Sequence, residues 1–115
     1  MIDGNLIGTF QIQTSKKNAI GEGVLEWSDV VQKKGFLDYV NGDTLNNTYN
    51  ARIQESTHIF LCDWFDCDAL GITSENARII IEGQIYSIQI IDDPMGRNQH
   101  LEVYLKFVGG QLATQ

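Results

Sequence analysis

The chain contains little that would interrupt or cross-link strands. Proline occurs once, at Pro94, and cysteine twice, at Cys62 and Cys67, in 115 residues. Four residues separate the two cysteines and no second ligand pair follows them, which falls short of a zinc-binding pattern. We therefore expect reduced, partly buried thiols in place of a disulfide or a metal site.

Long apolar runs and targeting signals are also missing. No run approaches the roughly 18 apolar residues that cross a bilayer, and residues 1–10 lack the basic flank and apolar stretch of a signal peptide. The sequence thus predicts folding in a cytoplasm and no membrane association.

Positive charge is scarce, because 8 basic residues face 15 acidic ones and the formal net charge is −7. This balance disfavours nonspecific attraction to DNA phosphates or to anionic lipid. The basic residues are dispersed and form no basic and aromatic stripe of the kind that binds single strands. We expect DNA near this protein to be tolerated and not bound.

The chain does contain enough apolar sequence for one core, since 43% of its residues are apolar. A domain of this size buries about two thirds of the surface that its unfolded chain exposes. No repeats, proline-rich linkers or low-complexity tracts divide the sequence. Residues 1–115 therefore read as a single domain that needs no disulfide or structural metal.

The clearest strand signals lie in the C-terminal third. Residues 100–107 alternate without a fault, which predicts a strand with one apolar face. That face comprises Leu101, Val103, Leu105 and Phe107. Residues 84–91 predict a second strand that is covered on both sides. Its two apolar faces are Tyr86, Ile88 and Ile90 on one side and Ile85 and Ile91 on the other.

Turn residues join these strands. Asp93-Pro94-Met95-Gly96 has the residues of a type I turn. Glu82-Gly83 separates residues 84–91 from a β-branched run at residues 78–81. The three segments predict a three-stranded meander.

The N-terminal half carries weaker signals. Residues 7–13 alternate in part and predict a strand, whereas residues 15–23 are polar and predict a loop. Leu25 and Trp27 stand at period two, and residues 35–40 form a short aromatic and aliphatic run.

Residues 57–64 predict a further buried strand, with Phe60, Cys62 and Trp64 on one face. The count is then about six strands. The patterns together predict a mainly β fold, a small six-stranded antiparallel β-barrel or sandwich.

Two connections are long for such a domain. Residues 42–56 are polar and poor in β-branched residues, and loops of this length are usually functional or disordered. Residues 65–77 form the second connection, where Asp68 or Ser74 would cap a short helical turn. We expect one long polar loop and one or two short helical turns.

Candidate metal ligands are sparse. Asp63, Asp66 and Asp68 form one acidic cluster and Asp92 with Asp93 another, but the spacing is not that of a calcium loop. Both clusters fall at predicted strand ends, where aspartate commonly serves turns. A structural role is therefore favoured over a cation site.

Candidate catalytic residues are equally few. His58 and His100 lie within predicted strands, with no nucleophile motif beside them. The glycines match no phosphate-binding loop. The residues predict no catalytic site, no cofactor and no metal.

Several blocks of the sequence resemble small head closure, or head-tail joining, proteins of tailed phages and prophages of Gram-positive bacteria, a family that includes the stopper of long-tailed siphophages. The blocks are residues 26–30 (EWSDV), 35–38 (GFLD), 55–64 (ESTHIFLCDW), 90–95 (IIDDPM) and 100–106 (HLEVYLK), followed by 107–110 (FVGG). Their order and spacing carry the resemblance. Cys62-Asp63 stands where some related chains carry Arg-Tyr, so the layer of the neck stays open.

The resemblance implies a non-enzymatic virion protein of the neck, the head-tail connector. Such a protein forms a ring on the portal or adaptor protein, closes the DNA exit of the filled head, and docks a tail completion or tail terminator protein. DNA would pass through without specific binding. The expected location is the virion neck, and the host cytoplasm during assembly.

The resemblance also implies a small β-barrel with an extended loop, and it gives residues 42–56 a role at a subunit interface or in the channel. The residues named for this role are Asp43, Thr44, Leu45, Asn46, Asn47, Tyr49 and Arg52. We expect acidic side chains near a ring's bore to repel DNA. We also expect the free chain to associate weakly or not at all until a preformed ring templates it, because the predicted core uses most of its apolar residues.

Two other functions stay open. One is a small β-barrel module that binds a ligand or nucleic acid, although the acidic balance speaks against nucleic acid. The other is an enzyme that uses Asp63, Asp66 and Asp68 with a metal.

Overall fold

The fold is mainly β, a closed antiparallel barrel. A computed structural model describes residues 4–17, 19–39 and 56–109. The strands in this part of the chain are β1 (Leu6–Lys17), β2 (Gly23–Tyr39), β3 (His58–Asp63), β4 (Ala77–Ile81), β5 (Gln84–Asp92) and β6 (His100–Gly109). Their order around the barrel is β1-β2-β3-β6-β5-β4, and β4 closes onto β1. Of the two predicted architectures, the barrel is therefore the one adopted.

The core is built from the alternating residues of the strands. Phe10 and Phe60 have no exposed surface, and their rings meet edge to face with centroids 6.4 Å apart. Phe65, from the connection after β3, packs on Phe10, with the two ring centroids 5.2 Å apart. The faces predicted for β3 are correct, since Phe60 and Cys62 are buried and Trp64 packs against the core.

The predicted apolar face of strand β6 is buried except near the end of the strand. Leu101, Val103 and Leu105 are buried, but Phe107 is 44% exposed. Because β3 begins at His58 opposite Leu105, β6 beyond that point has a neighbouring strand on one side only. Phe107 is therefore exposed, although it belongs to the predicted apolar face of the strand.

A bulge in β5 changes which isoleucine reaches the core. Ile88 is buried, the register shifts between Ile88 and Ile90, and Gln89 is the extra residue. Ile91 then pairs with the buried Val103 and packs against the core. The predicted face containing Ile90 is wrong, because one inserted residue exchanges the two faces of every residue after it.

The first two strands form a hairpin that is longer than predicted. β1 continues to Lys17 and β2 begins at Gly23, so residues 15–17 and 23 of the predicted loop are strand. Residues 35–39 of the short predicted run are the end of this same β2 and not a separate strand, and residue 40 lies outside the described residues. β1 pairs with β4 only as far as Ile12, and residues 14–26 extend past the barrel as a two-stranded arm.

The barrel has two distinct ends. Ile12 pairs with Ala77, so the arm leaves the barrel where β4 begins, beside residues 64–76 and the β5–β6 turn. We call this the arm end. The opposite end carries Tyr39, the Glu82-Gly83 turn and Gly109, and it is called here the loop end.

The connections correct two details of the predicted turns. A 3₁₀ turn forms at Asp68–Leu70, but Cys67 occupies its N-cap position without a side-chain cap, so neither Asp68 nor Ser74 caps it. The Asp66 Oδ1 instead accepts the Ala69 N–H at 3.2 Å. A carboxylate two residues before the turn thus replaces the predicted cap.

The second 3₁₀ turn, Pro94–Gly96, closes with the Gly96 N–H donating to the Asp93 carbonyl at 2.8 Å. Met95 has a φ of 58°, whereas a type I turn places this residue near −90°. The Asp93 carboxylate also accepts the Asn98 N–H at 3.0 Å, which binds both ends of the loop. The turn is where the sequence predicts it, but its type is different.

Candidate functional site

The described residues form a cleft of about 400 Å³ at the arm end. Its apolar floor is formed by Trp64, Phe65, Ile72 and Leu101, of which Trp64 alone is not fully buried. Its polar wall is formed by Asp66, Asp68, Asp93, Thr73 and Asn98. The volume lies at the lower end of the range for small-ligand pockets, roughly 300 to 1,000 Å³.

The walls of the cleft are fixed by hydrogen bonds within the connection between β3 and β4. The Thr73 N–H and hydroxyl both donate to the Asn76 Oδ1, each at 2.9 Å. The Asn76 Nδ2 in turn donates to the Gly71 carbonyl at 2.9 Å. Gly71 has a φ of 75°, a conformation that costs glycine little. The cleft is therefore formed by an ordered loop.

Two of the acidic residues of the cleft have structural roles. Asp66 and Asp93 accept backbone N–H groups in their turns. Within residues 4–17, 19–39 and 56–109, no group of three His, Cys, Asp or Glu side chains is placed to hold a metal ion. Burial, followed by the charges of Glu102 and Asp93, raises the pKa of Asp92. The described clusters therefore provide no built cation site.

Both cysteines are free thiols, Cys62 buried in the core and Cys67 at the cleft. Burial raises the pKa of Cys62 to about 12 and that of Cys67 to about 11. Nearby acidic groups add to the shift at Cys67, and Lys33 opposes it. Since the thiolate is the nucleophile and the metal ligand, both side chains are poor in either role at neutral pH.

The two histidines are held by neighbours in the manner of packed side chains. The His58 ring lies between Tyr39 and Tyr86, at centroid distances of 4.7 and 5.1 Å. Its Nδ1 is 2.8 Å from the Thr57 Oγ1, which also accepts the Phe107 N–H. Burial lowers the pKa of His58, so the ring is largely neutral at pH 7. His100 Nε2 lies 3.4 Å from Glu102 Oε2.

The residues proposed for an interface or channel role cannot be assigned a geometry. Asp43, Thr44, Leu45, Asn46, Asn47, Tyr49 and Arg52 all lie outside the described residues. The residues on either side of this segment, Tyr39 and Ser56, both lie at the loop end.

The base of the arm carries a polar network that no pattern in the sequence indicates. The Arg78 guanidinium lies 4.1 Å from the centroid of the Trp27 ring. Its Nε donates to the Gln11 Oε1 at 2.7 Å, and the Gln11 Nε2 donates to the Asp29 Oδ1 at 2.7 Å. Three strands are thereby joined where the arm leaves the barrel. No local pattern links Arg78 to a tryptophan so distant in sequence.

The arm itself exposes apolar side chains. Ile20 at its turn is 79% exposed, Leu25 is 65% exposed and Val24 is 38% exposed. The core therefore does not consume all the apolar residues, which differs from the expectation of a small apolar surplus. Exposed apolar groups on a projecting element are typical of contact surfaces.

Comparisons with known proteins add no assignment. No model of a protein family matches the chain, and no curated protein matches it. Among the described residues, no helix has the length and apolar character needed to span a membrane.

Proposed function

We propose that the chain is a structural protein of a tailed-phage neck, which forms a ring on the portal or adaptor protein, closes the DNA exit of the filled head and docks the tail. The first support for this function is the resemblance of several sequence blocks to head closure proteins. The described residues of those blocks fall on β2, on β3 and its flanking residues, on the end of β5 with its turn, and on β6. They therefore lie on strands and turns that form the barrel.

The observation that carries the proposal is the arm. A hairpin that leaves the barrel with Ile20 and Leu25 exposed serves no purpose in a protein that only packs around its own core. Assembly proteins need such elements, because a ring is built from surfaces that each subunit leaves uncovered.

The net charge of −7 fits a protein that DNA passes without binding. At physiological ionic strength the Debye length is about 8 Å, so only carboxylates close to the bore would act on the duplex. We expect no retention of short duplex DNA by the chain at low salt. A ring whose channel wall is basic would overturn this part of the proposal.

The experiment that tests the proposal is deletion of the gene from a phage or prophage that encodes it, followed by electron microscopy of the heads. Heads that package DNA and then lose it, with free tails accumulating, are the expected result. Heads that remain full and acquire tails normally would refute the neck assignment. Restoration by the wild-type gene supplied in trans is the control.

The alternative function, a ligand-binding barrel, has one observation in its favour. The cleft has an apolar floor and carboxylates at Asp66, Asp68 and Asp93, a combination that suits a cationic ligand and repels nucleic acid. A thermal-shift screen of small amines and basic peptides tests it. Stabilisation that saturates with an amine, in a protein that is dispensable for head closure, would favour this function.

A further inference from the structure

The cleft and the arm have complementary chemistry. Its floor presents Trp64, with the buried Phe65 beside it, and its wall presents the carboxylates of Asp66, Asp68 and Asp93. Aromatic faces beside carboxylates favour a cationic side chain that also has apolar groups. One cation already adjoins the floor, since the Lys33 Nζ lies 4.9 Å from the Phe65 centroid. The three carboxylates of the cleft carry more negative charge than this one lysine can offset.

The arm carries the matching groups. β1 ends in Lys16-Lys17, and Ile20 follows in the turn with 79% of its surface exposed. Glu22 is the single acidic residue from Lys16 to Gly23, so residues 16–23 carry a formal net charge of +1, and Glu26 brings the whole arm to zero in an otherwise acidic chain. Beyond Gln13 the strand rises about 3.3 Å per residue, which places Lys17 roughly 13 Å past the barrel.

The arm and the cleft also lie at the same end of the molecule. Ile12 pairs with Ala77 at the base of the arm, and residues 64–76, which form one wall of the cleft, lead into Ala77. Subunits around a common axis present equivalent ends at the same level. The arm of one subunit can therefore reach the cleft of the next, whereas within one subunit the arm extends away from the barrel that carries the cleft.

We propose that the arm tip of one copy, with Ile20 and Lys17, seats in the acidic, aromatic cleft of a second copy. The contact joins two different surfaces, so it is heterologous, and repetition of such a contact gives a ring when the rotation between neighbouring copies closes. Its role as a neck contact rests on the proposed function, but the contact itself does not. A single small contact is weak in dilute solution, which agrees with a chain that assembles on a template.

A disulfide trap between two differently labelled proteins tests the contact. One protein carries Ile20→Cys and the other Thr73→Cys, on the exposed rim of the cleft, and both carry Cys67→Ser. Thr73 is preferred to the native Cys67, whose raised pKa of about 11 slows its oxidation. Under mild oxidation at high concentration, we expect the mixture to form a heterodimer identified by its mass.

The trap has a matched control and decisive alternatives. Val108 is 61% exposed on the strand that runs out past the loop end, and Val108→Cys in place of Ile20→Cys should give little heterodimer. Homodimers of the Ile20→Cys protein in place of heterodimers would mean that arm tips pair with each other. That result, or a yield no higher than the control, overturns the proposal.

The charges of the contact can be exchanged between the two proteins. Asp68 is the carboxylate to alter, because Asp66 and Asp93 hold backbone N–H groups of their own turns. Asp68→Lys in the cleft partner should lower the heterodimer yield by about fivefold, the upper end for an exposed charge pair. Lys17→Glu in the arm partner should then restore it. Asp38→Lys, exposed near the loop end, is the matched charge change and should leave the yield unaltered.

The two proposals fail separately. Heterodimers without a head-closure phenotype would mean that the chain self-associates for another purpose. A head-closure phenotype without heterodimers would mean that the neck ring is built through another surface.

Discussion

The barrel and the arm are made from the same two strands, yet different forces hold them. In the barrel, β1 and β2 bury alternate side chains such as Phe10 against the facing strands. In the arm, the same strands pair only with each other, and Leu25 on β2 is 65% exposed. The difference shows that hydrogen-bonded pairing can carry a strand beyond its core, where its side chains become available for contacts with other molecules.

The largest expected difference between the two regions comes from truncating an aromatic or aliphatic side chain in each. Phe60→Ala should reduce the free energy of unfolding by about 3 to 5 kcal/mol, because it leaves a cavity beside Phe10. Leu25→Ala in the arm should change it by less than about 0.5 kcal/mol. Urea unfolding followed by tryptophan fluorescence measures both. If Phe60→Ala does not fold, Ile79→Val, expected to cost about 1 kcal/mol, replaces it.

Similar costs for Phe60→Ala and Leu25→Ala would contradict the division into core and arm. Leu25 would then be buried in the protein in solution.

A second comparison uses two glycines of the same strand. A Cβ at Gly35 would overlap the Leu61 carbonyl oxygen and the Phe60 ring, whereas a Cβ at Gly23 would meet only the Ser15 Oγ at 3.7 Å. Gly35→Ala should therefore cost about 1 to 3 kcal/mol through overpacking where β2 meets β3. Gly23→Ala should be nearly neutral. Thermal unfolding of the two variants measures the contrast, and equal melting temperatures would show that β2 can shift to relieve the overlap.

The buried thiol of Cys62 in the barrel should make the stability of the protein depend on pH. The pKa of Cys62 is raised from 9.0 to about 12 by burial, so the unfolded chain loses the proton first as the pH rises. Stability from this group is present below pH 9.0 and is lost between pH 9.0 and about 12, by about 1.4 kcal/mol per pH unit. Wild-type protein should therefore lose stability faster than Cys62→Ala between pH 9 and 10.

Urea unfolding at a series of pH values measures this slope, and the Cys67→Ala variant is its comparison at the cleft. Parallel curves for wild type and Cys62→Ala above pH 9 would mean that the thiol is hydrated in the folded protein. The slope would then have to come from other groups.

The smallest expected effect is at the junction of the two regions. Arg78→Ala removes the contact with Trp27 and the hydrogen bond to Gln11, and should cost about 1 kcal/mol. Hydrogen exchange should rise at arm residues but not in β6. Arg97→Ala, an exposed change on the β5–β6 turn, is the control. Unchanged exchange in the arm would mean that strand pairing alone holds it.

The strands that face the core were predictable from the sequence because burial imposes a period of two. Residues 57–64 and 100–107 show this period, and Phe60 and Val103 accordingly have no exposed surface. The turn at Glu82-Gly83 was predictable as well, and both its residues have positive φ, at 52° and 76°. Most of the barrel was accessible in this way.

The arm and the cleft were not predictable, for a physical reason that they share. A hairpin exposed on both faces needs no alternation, so residues 15–23 read as a loop although residues 15–17 and 23 are strand. The cleft depends on the meeting of residues 64–74 with residues 91–101, which lie apart in the sequence. Its acidic residues were noticed, but their aromatic floor was not.

The sequence by itself determined the mainly β class, the acidic charge and the inward faces of β3 and most of β6, since composition and local periodicity encode these directly. Tertiary structure decided the closure of the barrel, the exchange of Ile90 for Ile91 at the Gln89 bulge, the length of the arm and the Arg78–Trp27 contact. These depend on which strand lies beside which. Pairing between distant segments is a property of the whole chain, and no local pattern records it.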